Sequence, residues 1–279
     1  MFLVVSEIES IQFKQFASAN VEIIYQEELS KYLATSPVNG IRKDYINQEI
    51  IKLSFWELQK CHHYFTLDSD FIFLNDFTLQ TFFTRDKLPK YVLVEDKELI
   101  SQPKYFNDFW INRSIELNKI KKALDIESHE LKTCHNGTIF SSSILQSLKN
   151  NFMDKNNLSY RDLLSISPYE FSWYNYWLQK ISGKNIYHGE PFFKIFHNYD
   201  QILGSIIQGV NEESIKNSYL GVCINSNFSR AYGQLSLDTM REEILAQSFS
   251  FITILKILFY KTLQLKNRVL SIHQNRSII

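Results

Sequence analysis

Apolar residues alternate between strand-like and helix-like spacing in the first part of the chain. Met1 to Val5 and Val21 to Tyr25 are short apolar runs typical of strands, and Glu7 to Ala17 between them is typical of a short helix. Asp44 to Lys60 carries apolar residues at helical spacing and leads to a further apolar run, Tyr64 to Leu67. The order strand, helix, strand, helix, strand predicts an α/β fold with a parallel sheet.

Further elements are predicted along the rest of the chain. Strands are predicted at Tyr91–Val94, Thr138–Phe140 and Tyr219–Ile224, and helices at Ile144–Phe152, Arg161–Leu164 and Phe171–Ile181. The polar stretch from Val94 to Lys132 predicts no regular element. From Arg241 to Val269 a long helical segment is first apolar and then basic, and it is too interrupted to span a bilayer. We therefore predict a main domain over residues 1–240 and a C-terminal helical extension over residues 241–279.

Charge and cysteine content narrow the function classes. The 30 Lys and Arg residues balance the 30 Asp and Glu residues, so no net field attracts nucleic acid, and an anionic ligand requires a local cluster of cations. The three cysteines, Cys61, Cys134 and Cys223, are widely spaced and form no Cys-x-x-Cys pair. We therefore expect a protein of the reducing cytoplasm that does not bind nucleic acid.

Two carboxylates one residue apart are the most informative chemical feature of the chain. Asp68-Ser69-Asp70 lies between the apolar runs Tyr64–Leu67 and Phe71–Leu74. Acidic side chains held together at the end of a buried strand repel each other unless a cation or a shared proton compensates. Because Mg²⁺ and Mn²⁺ prefer hard oxygen ligands and usually bind substrate phosphates as well, the triplet predicts a metal site and a phosphate-bearing substrate. The alternative is a solvated strand end.

Six segments around this triplet carry a family resemblance in the same order along the chain. They are Asn39-Gly40, Gln48–Leu53, Tyr64–Leu74, Pro168–Tyr174, Pro191–His197 and Tyr219–Asn227. Together they resemble a family of bacterial glycosyltransferases of the GT-A type, associated with capsule, lipopolysaccharide or other surface-glycan gene clusters and long described as a domain of unknown function (DUF6492-like). In two respects the chain differs from the family: it has Gln48-Glu49 where the family favours Gln-Gln, and its first strand aligns with the family's second. We expect that the chain lacks one amino-terminal strand-helix unit.

The resemblance implies both a fold and an activity. The expected fold is a GT-A-like, Rossmann-type, mostly parallel sheet flanked by helices, with residues 1–240 as the catalytic domain. The expected reaction is metal-dependent transfer of a sugar from a nucleotide-sugar donor to a glycan or lipid-linked glycan acceptor. The expected location is the cytoplasm, with peripheral contact at the inner face of the cytoplasmic membrane if residues 241–279 lie in the membrane interface. A helix packed across the catalytic domain is the equal alternative.

The resemblance also assigns residues to the metal. Asp70 is expected to be the stronger ligand of Mn²⁺ or Mg²⁺, and Asp68 to bind ribose or metal-bound water. His197, at the end of the apolar run Phe192–Phe196, is expected to complete the metal shell with a neutral imidazole. A histidine that is only hydrogen-bonded beside the core is the alternative.

Four polar residues are candidates for binding the donor. Gln48 and Lys52 are four residues apart and share one helical face, where an amide and an ammonium group could meet hydroxyls or phosphate. An exposed polar stripe is an equal alternative. Asn225 and Asn227 alternate after a strand and are expected to point to the same side, as hydroxyl recognition requires, although turn-forming asparagines explain the pattern equally.

Glu170 precedes a group of aromatic residues and is the candidate for acceptor binding or for the general base. Trp173, within that group, is expected to stack on a sugar ring. The alternative is that aromatic residues at helical spacing pack in the core.

Two other function classes stay open. Asp68-x-Asp70 after an apolar strand also resembles the nucleophile motif of haloacid dehalogenase-type phosphatases, in which Asp68 would attack phosphorus and Asp70 would act as acid and base. That motif normally lies on the first strand, whereas two strands precede it here. The third hypothesis is a non-catalytic binding protein on a degenerate transferase scaffold.

Overall fold

Helices and short strands both contribute to the fold. A computed structural model describes residues 1–93, 103–127, 137–183, 186–196, 210 and 212–224. The strands are β1 (Phe2–Val5), β2 (Glu22–Tyr25), β3 (His63–Phe65), β4 (Phe71–Phe73), β5 (Ile139–Ser141), β6 (Phe193–Phe196) and β7 (Gly221–Ile224). The helices are α1 (Ser10–Phe13), α2 (Lys43–Ser54), α3 (Leu79–Phe82), α4 (Pro103–Ala123), α5 (Ser142–Leu148), α6 (Tyr160–Ile166), α7 (Glu170–Ser182) and α8 (Glu212–Ser218).

The chain forms two compact units. The first unit comprises Met1–Thr66, Leu79–Asp96 and Lys104–Glu190. The second unit comprises Leu67–Thr78, Lys97–Pro103 and Pro191–Ile279. The first unit therefore contains β1, β2, β3 and β5 with most of the helices, and the second contains β4, β6, β7 and α8.

The described strands form three small sheets, which differ from the single, mostly parallel sheet that the sequence predicts. The parallel pairs are β1 with β2 and β6 with β7, and the antiparallel pairs are β3 with β5 and β4 with β7. An apolar run identifies a strand, but the partner of that strand comes from distant parts of the chain. The coarser prediction of a mixed α/β fold is confirmed.

The amino-terminal strand-helix-strand prediction is confirmed. β1 and β2 pair in parallel, with Phe2 opposite Glu22 and Val5 opposite Tyr25. The segment between them is helical for a shorter stretch than predicted, because α1 ends at Phe13 and a 3₁₀ turn over Lys14–Phe16 replaces its last part.

Helix α4 lies in the polar stretch for which the sequence predicts no element. Leu117 and Ile120 in its last two turns, and Leu124 just beyond its end, are at most 1% exposed and are spaced three and four residues apart. This stripe is narrow, and charged residues surround it, so the apolar pattern alone is weak. Burial of this stripe stabilises the carboxyl-terminal part of the helix.

The centre of the core in the first unit lies where α2 packs against α7. Ile46, Ile50 and Leu53 form the buried stripe of α2 and are all 0% exposed. Trp173 and Tyr174 of α7 are also 0% exposed and belong to the same hydrophobic cluster. Each such side chain contributes about 1.5 to 3 kcal/mol by leaving water. The two helices are therefore fixed against each other, and so are the polar side chains beside these stripes.

In the second unit, β7 is the central strand of a three-stranded sheet. β4 lies antiparallel on one side of it and β6 parallel on the other. Gly221 opens β7, and a Cβ atom at this position would lie 2.1 Å from the carbonyl oxygen of Ile72 in β4. Only glycine therefore permits this close approach of the two strands.

Several predictions fall on residues outside the described ranges. They concern Val94, the metal candidate His197, the donor candidates Asn225 and Asn227, and the extension over residues 241–279. Within the described part of the chain, no helix is both long enough and apolar enough to cross a bilayer.

Candidate functional site: a buried charge cluster and an acidic turn

Helix α2 carries two buried charged residues beside its apolar stripe. The tight turn at Asn39-Gly40, in which both residues have positive φ (49° and 78°), leads the chain toward the helix. Glu49 and Lys52 lie three residues apart and therefore share a face of α2. They are 3% and 9% exposed. Charged residues are buried to this degree almost only when they are paired.

The partner comes from the first residue of α7. Glu170 is 4% exposed and occupies the first turn of that helix, where the positive end of the helix dipole favours a carboxylate. The Lys52 ammonium donates to Glu170 Oε1 at 3.0 Å and to Glu49 Oε2 at 3.3 Å. The same ammonium lies 4.9 Å from the ring centroid of Phe171. We call Glu49, Lys52 and Glu170 the buried charge cluster.

Two carboxyl groups and one ammonium group share this cluster. Burial opposes ionisation of Glu170, but the Lys52 ammonium and hydrogen bonds, one of them with Glu49, hold the pKa of Glu170 below its ordinary value. The cluster is therefore best described as the Glu170 carboxylate paired with the Lys52 ammonium, with Glu49 as the second carboxyl group in contact with that ammonium.

Tyr45 extends this cluster toward the surface. It lies one turn before Glu49 on α2, and its side chain is partly exposed. Loss of hydration around its hydroxyl, together with the nearby Glu49 and Glu170 carboxyl groups, raises the pKa of Tyr45 far above its ordinary value. The phenol therefore stays protonated and can act only as a neutral hydrogen-bonding group.

The acidic triplet forms a turn in the second unit, directly before β4. Asp68 and Asp70 are both partly exposed. The backbone N–H of Ile224 in β7 donates to the carbonyl oxygen of Asp70 at 3.0 Å, and the Cys223 thiol donates weakly to Asp70 Oδ1 at 3.6 Å. β7 therefore fixes the position of Asp70, while both carboxyl groups can still reach solvent. We call Asp68-Ser69-Asp70 the acidic turn.

The carboxylate oxygens of the acidic turn are donor atoms of the kind that divalent cations prefer. Two carboxylates one residue apart supply hard oxygen donors, and Mg²⁺ commonly uses one or two carboxylates together with substrate phosphates and water. Among the residues that the structure describes, no three His, Cys, Asp or Glu side chains come together as a metal-binding group. A cation at the acidic turn would thus take its remaining ligands from substrate, water or residues outside the described ranges.

Comparison with known families shows which family the chain belongs to. Residues 1–207 match the family of unknown function DUF6492. The chain belongs to this family. No curated protein matches the chain. Because the function of the DUF6492 family is unknown, membership assigns no reaction.

The DUF6492 match includes α2, the acidic turn, α7 and β6, and it ends before β7. Thus all three members of the buried charge cluster and both aspartates lie inside the family region. Ile224 and Cys223, which contact Asp70, lie beyond the matched residues.

The DUF6492 fold brings together some of the predicted site residues. Lys52 and Glu170, predicted separately for the donor and the acceptor, are direct ion-pair partners. Gln48 lies on α2 with an exposed side chain. Trp173 is fully buried, and its indole N–H donates to the carbonyl oxygen of Ser167 at 2.9 Å. In this conformation its ring is therefore part of the core and offers no face to a sugar.

Glu49 is the member of this DUF6492 site that sequence reasoning missed. A signal was present, since Glu49 and Lys52 have the spacing of an ion pair on one helical turn. The spacing does not show that both side chains are buried, because that depends on α7 packing over this face. Nor does the spacing show that Glu170 is the partner of Lys52, because Glu170 is far away in the sequence.

Proposed function

We propose that this protein is a metal-dependent glycosyltransferase that moves a sugar from a nucleotide-sugar donor to a glycan or lipid-linked glycan acceptor at the inner face of the cytoplasmic membrane. The observation that carries the proposal is the acidic turn, in which two partly exposed carboxylates precede β4 and Asp70 is fixed by β7. The resemblance of the surrounding segments to GT-A transferases adds the reaction class.

In this proposal Asp70 and Asp68 hold Mn²⁺ or Mg²⁺ together with the donor diphosphate. The cation would neutralise negative charge on the departing nucleotide as the glycosidic bond breaks. Asp70 is the better candidate ligand because contacts with β7 hold its main chain in place. Asp68 is proposed to bind ribose or metal-bound water. His197 is proposed as a further ligand.

The GT-A arrangement is proposed on three features of the chain topology. β1, α1 and β2 form a parallel strand-helix-strand unit, and the acidic turn follows β3. The strand after the turn, β4, joins a separate mixed sheet.

Glu170 is proposed as the general base or as an acceptor-binding group. Its lowered pKa keeps it ionised at neutral pH, which suits hydrogen-bond acceptance from a sugar hydroxyl, whereas a general base would need a pKa closer to neutral pH. Glu170→Gln is expected to reduce kcat by about 100-fold or more, as the loss of a general base does. The free energy of unfolding measured in the same buffer separates this effect from loss of fold, and Glu116→Gln on α4 is the control.

The central test is metal-dependent transfer or donor hydrolysis by the purified protein. Wild type is assayed with a panel of UDP-, GDP- and CMP-sugars, with Mn²⁺ and with EDTA, beside Asp70→Ala and the exposed control Asp86→Ala. We expect activity that requires Mn²⁺, is lost in Asp70→Ala and persists in Asp86→Ala. Equal activity in wild type and Asp70→Ala would reject the metal role.

Two further measurements test the other function classes. A BeF₃⁻ adduct on Asp68, with release of phosphate instead of sugar, would identify a phosphatase. Saturable, metal-dependent binding of a nucleotide sugar would eliminate a scaffold that has lost donor affinity.

A further inference from the structure

A chain of side-chain hydrogen bonds joins four segments of the first unit. His63 of β3 lies opposite Ser141 of β5, and His63 Nδ1 lies 2.8 Å from Ser141 Oγ. The Tyr91 hydroxyl, from the segment after α3, lies 2.8 Å from the same oxygen. The Tyr174 hydroxyl of α7 donates to the Tyr91 oxygen at 3.4 Å and accepts from the Ser141 backbone N–H at 2.9 Å. We call these four residues the His63 chain.

The three hydroxyl groups of the His63 chain are shielded from water. Ser141, Tyr91 and Tyr174 are 3%, 8% and 0% exposed. Burial raises the pKa of Tyr174 well above its ordinary value, so this phenol keeps its hydrogen. A buried hydroxyl hydrogen without an acceptor is costly, because water cannot replace the missing partner. Each of the three hydrogens therefore requires an acceptor within the chain.

The direction of the His63 chain follows from the single hydrogen that each hydroxyl group carries. Tyr174 donates to Tyr91, so the Tyr91 hydrogen is left for Ser141 Oγ. The Ser141 hydrogen is then left for His63 Nδ1. Every hydrogen has an acceptor only if Nδ1 carries none. The chain therefore selects the neutral imidazole with its hydrogen on Nε2.

Protonation of His63 reverses this order. Nδ1 then carries a hydrogen and donates to Ser141 Oγ, so the Ser141 hydrogen must turn to Tyr91. Whichever of Tyr91 and Tyr174 then donates to the other, one phenol hydrogen has no acceptor among the residues that the structure describes. The charged ring thus breaks the chain that the neutral ring completes.

The surroundings of His63 do not compensate a positive charge. The residue is partly exposed, and the ring centroid of Phe83 lies 5.5 Å from that of His63. Loss of hydration, and then the adjacent His62, lower the pKa of His63 below its ordinary value of 6.5. Within the described part of the chain no carboxylate acts on this pKa. The groups that β5, α7 and the segment at Tyr91 bring to the chain are neutral hydroxyls.

We propose that His63 is a pH-sensitive switch of the first unit: its neutral ring completes the His63 chain and so holds β3, β5 and α7 together, and its protonated ring breaks that chain. Because the pKa of His63 is lowered in the fold, the stabilisation is fully present above about pH 6.5 and is lost as the pH falls through the folded value. The inference goes beyond the proposed function and does not depend on it, since none of the four residues is assigned to the metal, the donor or the acceptor.

NMR of the His63 ring nitrogens in the full, ¹⁵N-labelled chain tests the switch directly. We expect a hydrogen on Nε2 at neutral pH, and protonation of His63 at a lower pH than in the urea-unfolded chain. Ser141→Ala removes the hydroxyl that donates to Nδ1, so His63 should then protonate at a higher pH than in wild type. Ser143→Ala, at an exposed position in the first turn of α5, is the matched control and should leave the titration unchanged. A hydrogen on Nδ1 at neutral pH, or an unchanged titration in Ser141→Ala, would overturn the proposal.

Stability measurements separate the switch from a purely structural role of these residues. The free energy of unfolding is followed from about pH 7.5 to about pH 5 for wild type, His63→Gln and the exposed control His62→Gln. Wild type and His62→Gln should lose stability alike, whereas His63→Gln should lose less, because its amide stays neutral. The protection factor of the Ser141 amide, which donates to Tyr174, should fall at least about fivefold in wild type and stay constant in His63→Gln. Equal pH dependence of wild type and His63→Gln would contradict the switch.

Discussion

At the residue scale, Lys52 compensates two carboxyl groups that are otherwise buried without a counterion. Its contacts with Glu170 at 3.0 Å and Glu49 at 3.3 Å are made by side chains that are at most 10% exposed. A buried ion pair contributes little compared with an apolar replacement, but removal of one partner is costly because the other charge stays buried. The cluster is therefore sensitive to single substitutions.

We predict that Lys52→Met destabilises the protein by about 3 to 5 kcal/mol, because the Glu170 carboxylate loses its counterion. Urea unfolding followed by fluorescence measures the change. Lys119→Met is the matched control, since Lys119 pairs with Glu116 at the surface and such pairs contribute about 0 to 1 kcal/mol. Equal losses in the two variants would contradict compensation by Lys52.

The lowered pKa of Glu170 gives a prediction with a definite sign. Its folded-state pKa lies below its ordinary value of 4.5, so its contribution is fully present above about pH 4.5 and is lost as the pH falls through the folded value. The difference in free energy of unfolding between wild type and Glu170→Gln should therefore be largest near neutral pH and shrink below about pH 4.5. Unfolding curves from pH 7 to pH 3 check this, and a constant difference would contradict it.

At the element scale, β7 orders the second unit. Its pairing with β4 brings Gly221 against the backbone of Ile72, and its last residue, Ile224, holds Asp70. One strand thus supports both the sheet and the acidic turn. A change at the start of β7 is therefore expected to affect both the sheet and the acidic turn.

We predict that Gly221→Ala destabilises the protein by about 1 to 3 kcal/mol, since a Cβ atom would lie 2.1 Å from the carbonyl oxygen of Ile72 and the strands would have to separate. Unfolding in urea measures the loss. Ser218→Ala, an exposed substitution at the end of α8, should stay within about 0.5 kcal/mol of wild type. A loss no larger than this control would show that the strands adjust without cost.

Element positions could be predicted from the sequence far better than element partners. Periodicity identifies α2 and α7, and apolar runs identify β1, β2 and β7, because each signal lies within one local window. Helix α4 is not predicted, because its buried stripe of Leu117, Ile120 and Leu124 is surrounded by charged residues. The pairing of β3 with β5 and the contact of Lys52 with Glu170 join distant segments, and no local pattern records such contacts.

At the scale of the whole molecule, the numbers of basic and acidic residues are equal. A charged ligand must therefore be bound by local clusters of charge. The formal net charge is zero at neutral pH. Long-range attraction of the proposed anionic donor is therefore weak, and the affinity for such a donor would have to come from short-range contacts. The two aspartates of the acidic turn cannot attract a diphosphate by themselves, because they carry the same sign of charge. In the proposed function, a bridging cation would resolve this conflict.

This conflict leads to a prediction about stability that does not require turnover. A ligand that binds only the folded state stabilises it by about 2.7 kcal/mol at a free concentration 100 times its Kd. We expect Mn²⁺ and a nucleotide sugar together to raise the thermal midpoint of wild type. The nucleotide sugar with EDTA should leave the midpoint unchanged, because the charges of Asp68 and Asp70 would then repel the diphosphate. Asp70→Asn should lose the shift and the exposed control Asp86→Asn should keep it. A metal-independent shift that persists in Asp70→Asn would place the nucleotide away from the acidic turn.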